Sequence, residues 1–121
     1  MTPSASVYVA GHTGLVGSAL VRRLESVGYR NLILRTHEQL DLERQERVES
    51  FFEAERPDFV FLAAARVGGI AANAAHPAEF LRTNLAIGLN VVTAAHRVGV
   101  RRLLNLGSHE LHHGLLAVRR R

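Results

Sequence analysis

Two apolar rhythms alternate along the chain. Mostly apolar runs occur at residues 5–10, 31–34 and 59–65, residues 101–106 give a fourth around Leu103, Leu104 and Leu106, and the stretches between them carry apolar residues at every third or fourth position. A short unbroken run rich in valine, phenylalanine and leucine is the pattern of a strand buried on both faces, as in a parallel sheet. From Leu15 the positions Val16, Ala19, Leu20, Leu24 and Val27 have helical spacing, and Gly28 supplies a stop signal. Residues 42–55 gather Val48, Phe51 and Phe52 on one face among charged side chains and end before Pro57, which disfavours helix in the residue it follows. Residues 67–75 are rich in glycine and alanine and read as a loop. Pro77 suits the first turn of a third helix, running through Leu81, Leu85, Leu89, Val92 and Ala95 to about Val98. Strands alternating with helices predict the α/β class, a parallel sheet with flanking helices joined by right-handed crossovers. The expected strand order is 3-2-1-4, and the sheet is expected to be truncated after its fourth strand.

The junction of the first strand and first helix reads Gly11-His12-Thr13-Gly14-Leu15-Val16-Gly17. Three glycines at this spacing, in this setting, have separate tasks. Gly11 permits a tight turn, Gly14 lets backbone amides approach a pyrophosphate, and Gly17 lets the helix pack close to the strand. The helix N-terminus offers unpaired N–H groups and the positive end of its dipole to an anion. This is the fingerprint of a Rossmann-like dinucleotide fold. Past the second strand, Arg35 and His37 stand where such a protein meets the adenosine ribose; cationic side chains there favour the 2′-phosphate of NADP, whereas a carboxylate would favour NAD. Leu42 offers an apolar face to the adenine, and Asp41 is placed either beside it or as the cap of the following helix. Ala63 and Ala64 end the third strand with side chains small enough for a cofactor to cross the sheet edge.

Composition narrows the picture further. The 121 residues suffice for one compact core, and 47% hydrophobic with 21% charged residues is an ordinary globular balance. No apolar run approaches the length of a membrane span, so a soluble, cytoplasmic protein without a membrane partner is expected. The net charge of +4 comes from arginine alone, since the chain contains no lysine. Those arginines are scattered and not interleaved with aromatic residues, which argues against a nucleic-acid partner.

Residues 9–19 resemble the opening of the GDP-L-fucose synthase family, extended short-chain dehydrogenases/reductases of the NAD-dependent epimerase/dehydratase type. Leu34-Arg35-Thr36-His37 and Leu40-Asp41-Leu42 are similar to its second-strand segment. Residues 62–70, with Asn73 and Pro77-Ala78, are similar to its signature loop. The resemblance covers residues 6–108, the first part of a full member. It implies epimerisation of GDP-4-keto-6-deoxy-D-mannose at two carbons and reduction by NADPH to GDP-L-fucose. It implies cofactor contacts from residues 11–17, from His37, Glu38, Gln39, Leu40, Asp41 and Leu42, and from Leu106, Gly107 and Ser108, with Ser108 also hydrogen-bonding the substrate ketone. Arginine is usual in the family where Thr13 stands, and a more basic residue occurs at the His37 position, so NADP is expected while NAD stays open. Ketone reduction in the family also needs a Tyr-x-x-x-Lys pair. Tyr8 and Tyr29 are the tyrosines here, and neither has a lysine beside it. Residues 1–108 are therefore expected to form an NAD(P)-binding half-domain that has no turnover by itself, the nucleotide sugar being a partner of a full-length relative.

After Ser108 the family continues Ser-Cys-Ile-Tyr-Pro, whereas this chain reads His109-Glu110-Leu111-His112-His113 and ends in three arginines. A change of reading frame would account for the departure of residues 109–121, because some codons for Glu110, Leu111 and His112 read one base on as Ser-Cys-Ile; synonymous codon choice makes this compatibility and not proof. The same stretch satisfies H-E-x-x-H, with His109 and His113 as zinc ligands and Glu110 as general base. A zinc site or hydrolase is the alternative, weakened by the want of a third ligand downstream; no metal is assigned. A third alternative is an interaction module. A fourth strand bare on its outer edge is expected to favour self-association.

Overall fold

In the computed structural model, residues 2–63, 77–106 and 116–119 are described, the last four and Phe80 by their backbone alone. Five strands, β1 (Ser6–Ala10), β2 (Asn31–Ile33), β3 (Phe59–Leu62), β4 (Arg102–Asn105) and β5 (Leu116–Arg119), form one sheet in the order β2-β1-β3-β4-β5. The first four are mutually parallel and β5 is antiparallel to β4. Three helices, α1 (Leu15–Ser26), α2 (Gln45–Glu55) and α3 (Pro77–Val98), link the parallel strands.

Alternation along the strands divides the core into two layers. Val7 and Val9 of β1 face α1, where Leu24 completes the buried set with Leu20, Val21, Phe59 and Phe61 packed around it. Tyr8 and Ala10 point the other way, into a larger cluster holding Val48 and Phe52 of α2, Val60 and Leu62 of β3, Val91 of α3 and Leu103 of β4. Tyr8, Phe51 and Phe52 meet as an aromatic trio, with ring centroids 4.6 Å apart for Tyr8–Phe51 and 5.8 Å for Tyr8–Phe52. Asp58 pins β1 to the start of β3 by accepting from the backbone N–H and the hydroxyl of Ser6 at 2.9 and 3.2 Å.

The Rossmann-like parallel sheet is present, but the strand order differs from 3-2-1-4. Residues 59–62 do not lie outside β2; they take the other edge of β1, in the register Val7↔Phe59 to Ala10↔Leu62. The reason is the face that α2 covers. α1 packs on one face of the sheet, with Leu24 against Val7 and Val9, and α2 on the other, with Phe52 beside Tyr8; a right-handed crossover on that opposite face carries the chain back past β2 to the open edge of β1.

The parallel part of the sheet stops at its fourth strand, as expected, but that strand's outer edge is not bare. β4 pairs along its outer edge with β5, from Arg102↔Arg119 to Asn105↔Leu116. A bare β4 edge therefore gives no ground for self-association. Two helices deviate from expectation in detail. α2 begins at Gln45 because Asp41 holds a separate turn ahead of it, its Oδ1 accepting from the Glu43 N–H at 3.0 Å. Asp41 thus does not cap α2. In α3, Leu81, Leu85 and Leu89 lie on the exposed face, while Ile87, Val91, Ala94 and Ala95 are buried against the sheet.

Candidate functional site

The carboxyl ends of β1, β2 and β3 open onto one cleft of about 260 Å³. α1 leaves β1 on one face of the sheet and α2 crosses to β3 on the other, so the chain reverses direction between β1 and β3. That is the switch point at which open α/β sheets bind ligands.

Each glycine of the first turn has its own geometry. Gly11 has φ of 84°, a left-handed conformation that suits glycine, and its carbonyl accepts from the Gly14 N–H at 3.1 Å. Gly14 is the N-terminal cap of α1, in extended conformation with no side-chain cap. The helix lacks an acidic residue in its first turn, so its leading N–H groups keep their hydrogen-bonding capacity for an outside acceptor. A Cβ on Gly17 would lie 1.9 Å from the Gly11 carbonyl oxygen, which fixes how closely α1 seats on the turn. Leu15 beside it is 87% exposed.

At the far end of the cleft, residues 36–39 form a reciprocal capping box. Gln39 Oε1 accepts from the Thr36 N–H at 2.8 Å, and Thr36 Oγ1 accepts from the Gln39 N–H at 3.3 Å. This turn carries His37 to the cleft wall. Arg35 also borders the cleft, with its Nη2 donating to Glu55 Oε2 at 3.1 Å and its guanidinium 5.4 Å from the Phe51 ring. Leu40 and Leu42 are buried in the core yet line the cleft floor, and Asn90 of α3 holds the Leu42 carbonyl through a 2.9 Å hydrogen bond from its Nδ2.

Of the residues expected at a cofactor, the cleft brings together Gly11, Thr13, Gly14, Arg35, His37, Leu40, Asp41, Leu42 and Ala63. His12, Leu15, Val16, Gly17, Glu38, Gln39 and Leu106 do not line it. Leu106 instead extends the β4 ladder by donating its N–H to the Leu62 carbonyl at 3.0 Å. Ala64, Gly107, Ser108, His109, Glu110 and His113 lie outside the described residues. Sequence reasoning missed Glu43 and Ile87, which also line the cleft. Ile87 carries the ordinary signal of a core-facing helix position, and nothing in its spacing points to a ligand. Tyr8 is no substitute for the expected proton donor. It is buried in the aromatic trio, and that burial raises its phenol well above the usual tyrosine range, the lesser influence of Arg35 acting the other way.

A glycine turn, an uncapped helix N-terminus and a cleft at the switch point define a dinucleotide-binding α/β protein. Residues 7–113 match the NAD dependent epimerase/dehydratase family. The chain belongs to that family. It is 57% identical to GDP-L-fucose synthase 1 of Arabidopsis thaliana over 105 residues, covering 87% of this chain and 32% of that protein. It is 50% identical to GDP-L-fucose synthase of Escherichia coli over 102 residues, covering 84% of this chain and 32% of the relative. Among solved structures, the GDP-mannoheptose C4 reductase of Campylobacter jejuni with NADP bound superposes with a TM-score of 0.83 at 41% identity, covering 87% of this chain and 31% of that one. The chain thus spans about a third of the length of the curated relatives it matches.

The residues present fit a dinucleotide. The first turn of α1 holds amides without side-chain partners, and His12 Nδ1 in the glycine turn is buried without a hydrogen-bond partner. Among the described residues, no cluster of three or more His, Cys, Asp or Glu side chains has the arrangement of a metal site, and no helix is long and apolar enough to cross a membrane.

Proposed function

We propose that the chain is the cofactor-holding portion of a GDP-sugar epimerase/reductase and binds NADP across the carboxyl edge of its sheet. The observation that carries this reading is convergence: the glycine turn after β1, the basic pair Arg35 and His37 after β2, and Ala63 after β3 border a single cleft. The amides at the start of α1 hold the pyrophosphate. Leu42 gives the adenine an apolar surface, and the hydrogen bond from Asn90 keeps that surface in place. Arg35 and His37 answer the 2′-phosphate, and the short side chain of Ala63 leaves the sheet edge clear. When bound, NADPH supplies a hydride for reduction of a 4-keto sugar. Ser108, by its place in the resemblance, offers its hydroxyl to that ketone. The GDP-sugar is proposed as the substrate of the whole enzyme, as the names of the relatives indicate for those proteins.

Thermal unfolding of the 121-residue chain tests the reading. NADPH at a hundred times its Kd stabilises a native-state binder by about 2.7 kcal/mol. For a domain of this size that raises the midpoint by roughly 10 °C. NADH at the same concentration is expected to raise it less. No shift with either dinucleotide would refute the assignment.

A further inference from the structure

Arg35 is the one arginine bordering the cleft among the described residues, and two carboxylates, Asp41 and Glu43, border it as well. The attraction of this cleft for a dianionic group therefore depends heavily on how much of the Arg35 charge is available. That charge is already engaged. Nη2 donates to Glu55 Oε2 at 3.1 Å, Nη1 donates to the Leu34 carbonyl at 3.0 Å, and the plane rests near the Phe51 ring. Arg35 also borders a second groove along α2, which Glu55 lines too, so the guanidinium stands between the cleft and its partner carboxylate.

We infer that Glu55 sets the discrimination between 2′-phosphorylated and 2′-hydroxyl dinucleotides, by occupying one arm of the Arg35 fork and neutralising its charge. This rests on the cofactor reading above. Arg35 and Glu55 side chains are 33% and 37% exposed, and an ion pair so open to water is weak enough to be exchanged. A phosphate is the stronger partner, because a guanidinium binds it through charge-assisted, forked hydrogen bonds. NADP binding must then displace Glu55 or share Arg35 with it, and the carboxylate also repels the incoming dianion. NAD brings a hydroxyl to the same place and is indifferent to the exchange. Glu55 is thus a positioning residue that lowers NADP preference without touching the cofactor.

The test is titration of the full chain and its Glu55→Gln variant with NADP+ and with NAD+, followed by calorimetry or fluorescence. Glutamine keeps the length and removes the charge. The expected result is an NADP+ affinity about fivefold higher in the variant, with NAD+ affinity unchanged. In the double variant Arg35→Gln/Glu55→Gln the gain should vanish, since its origin is the release of Arg35. An unaltered affinity ratio in Glu55→Gln, a fall in NADP+ affinity, or a gain that survives in the double variant would each overturn the role of Glu55 while leaving the cofactor site standing. Failure of the unaltered chain to bind either dinucleotide would overturn the site and the inference together.

Discussion

Gly17→Ala is expected to destabilise the chain by about 3 kcal/mol or more, read as a lower denaturant midpoint at unchanged slope. On an open helix the same exchange stabilises, by roughly 1 kcal/mol. Here the sign reverses because the new methyl group has no room. It would stand 1.9 Å from the Gly11 oxygen, 2.7 Å from the Gly11 carbonyl carbon and 2.9 Å from the His12 Cα, all of them backbone atoms that cannot rotate away. α1 must then lift from the end of β1, and the packing of Leu24 against Val7 and Val9 loosens with it. Gly14→Ala is the informative control. Its Cβ would lie 3.6 Å from the Gly11 oxygen, an ordinary contact, at a φ of −77° that any residue adopts. Stability should therefore change by less than about 1 kcal/mol, while the added methyl at the cleft wall reduces the NADPH-induced rise in midpoint. A Gly17→Ala chain as stable as the parent would show that the helix does not seat on the turn as described.

Phe52→Ala is expected to lower stability by about 3–5 kcal/mol. Phe52 has no exposed surface, and its ring meets Tyr8 and Phe51 edge-on, with centroids 5.8 and 5.4 Å away. Removing it opens a void between α2 and the sheet that neighbouring β-sheet side chains cannot collapse to fill. Against a total stability of roughly 5–15 kcal/mol for a domain, such a loss leaves a substantial unfolded fraction. Phe51→Ala should cost less, because Phe51 is only partly buried. Equal midpoints for the Phe52→Ala and parent chains in guanidinium unfolding would contradict the packing.

What the sequence discloses here is mainly what is decided locally. Gly11 and Gly28 stand at φ of 84° and 102°, and each need for glycine could be read from a strand or helix stopping beside it. Gly17 was legible as a packing position for the same reason. Sheet order was not, since whether residues 59–62 pair with β2 or with β1 depends on which face of the sheet α2 covers. α3 was legible as a helix but not in its facing. Its leucines and its isoleucine, valine and alanine positions form apolar stripes on both sides, and only contact with the sheet selects Ile87, Val91, Ala94 and Ala95 for burial.

The candidate site divides in the same way. Thr36 and Gln39 have the spacing of a capping box, yet the resemblance drew Gln39 toward the cofactor, whereas its side-chain Oε1 closes the turn that presents His37. Arg35 was read for its charge, but its partner Glu55 lies twenty residues on and at the far end of α2, a pairing invisible without the fold. Glu43 comes to the cleft because the Asp41 turn delays the helix to Gln45.

β5 gives the sheet a removable margin. Every parallel pairing joins segments that are far apart in the chain, such as Phe59 with Arg102, and each needs a crossover in place before its ladder can close. β5 folds back on β4 from close by, Asn105 pairing with Leu116, and among the described strands nothing leans on its other side. Its ladder can therefore zip and unzip without disturbing β1, β2 or β3. A strand from elsewhere that seeks the β4 edge has to evict β5 first, so occupancy of that edge becomes a contest between a tethered strand and an incoming one.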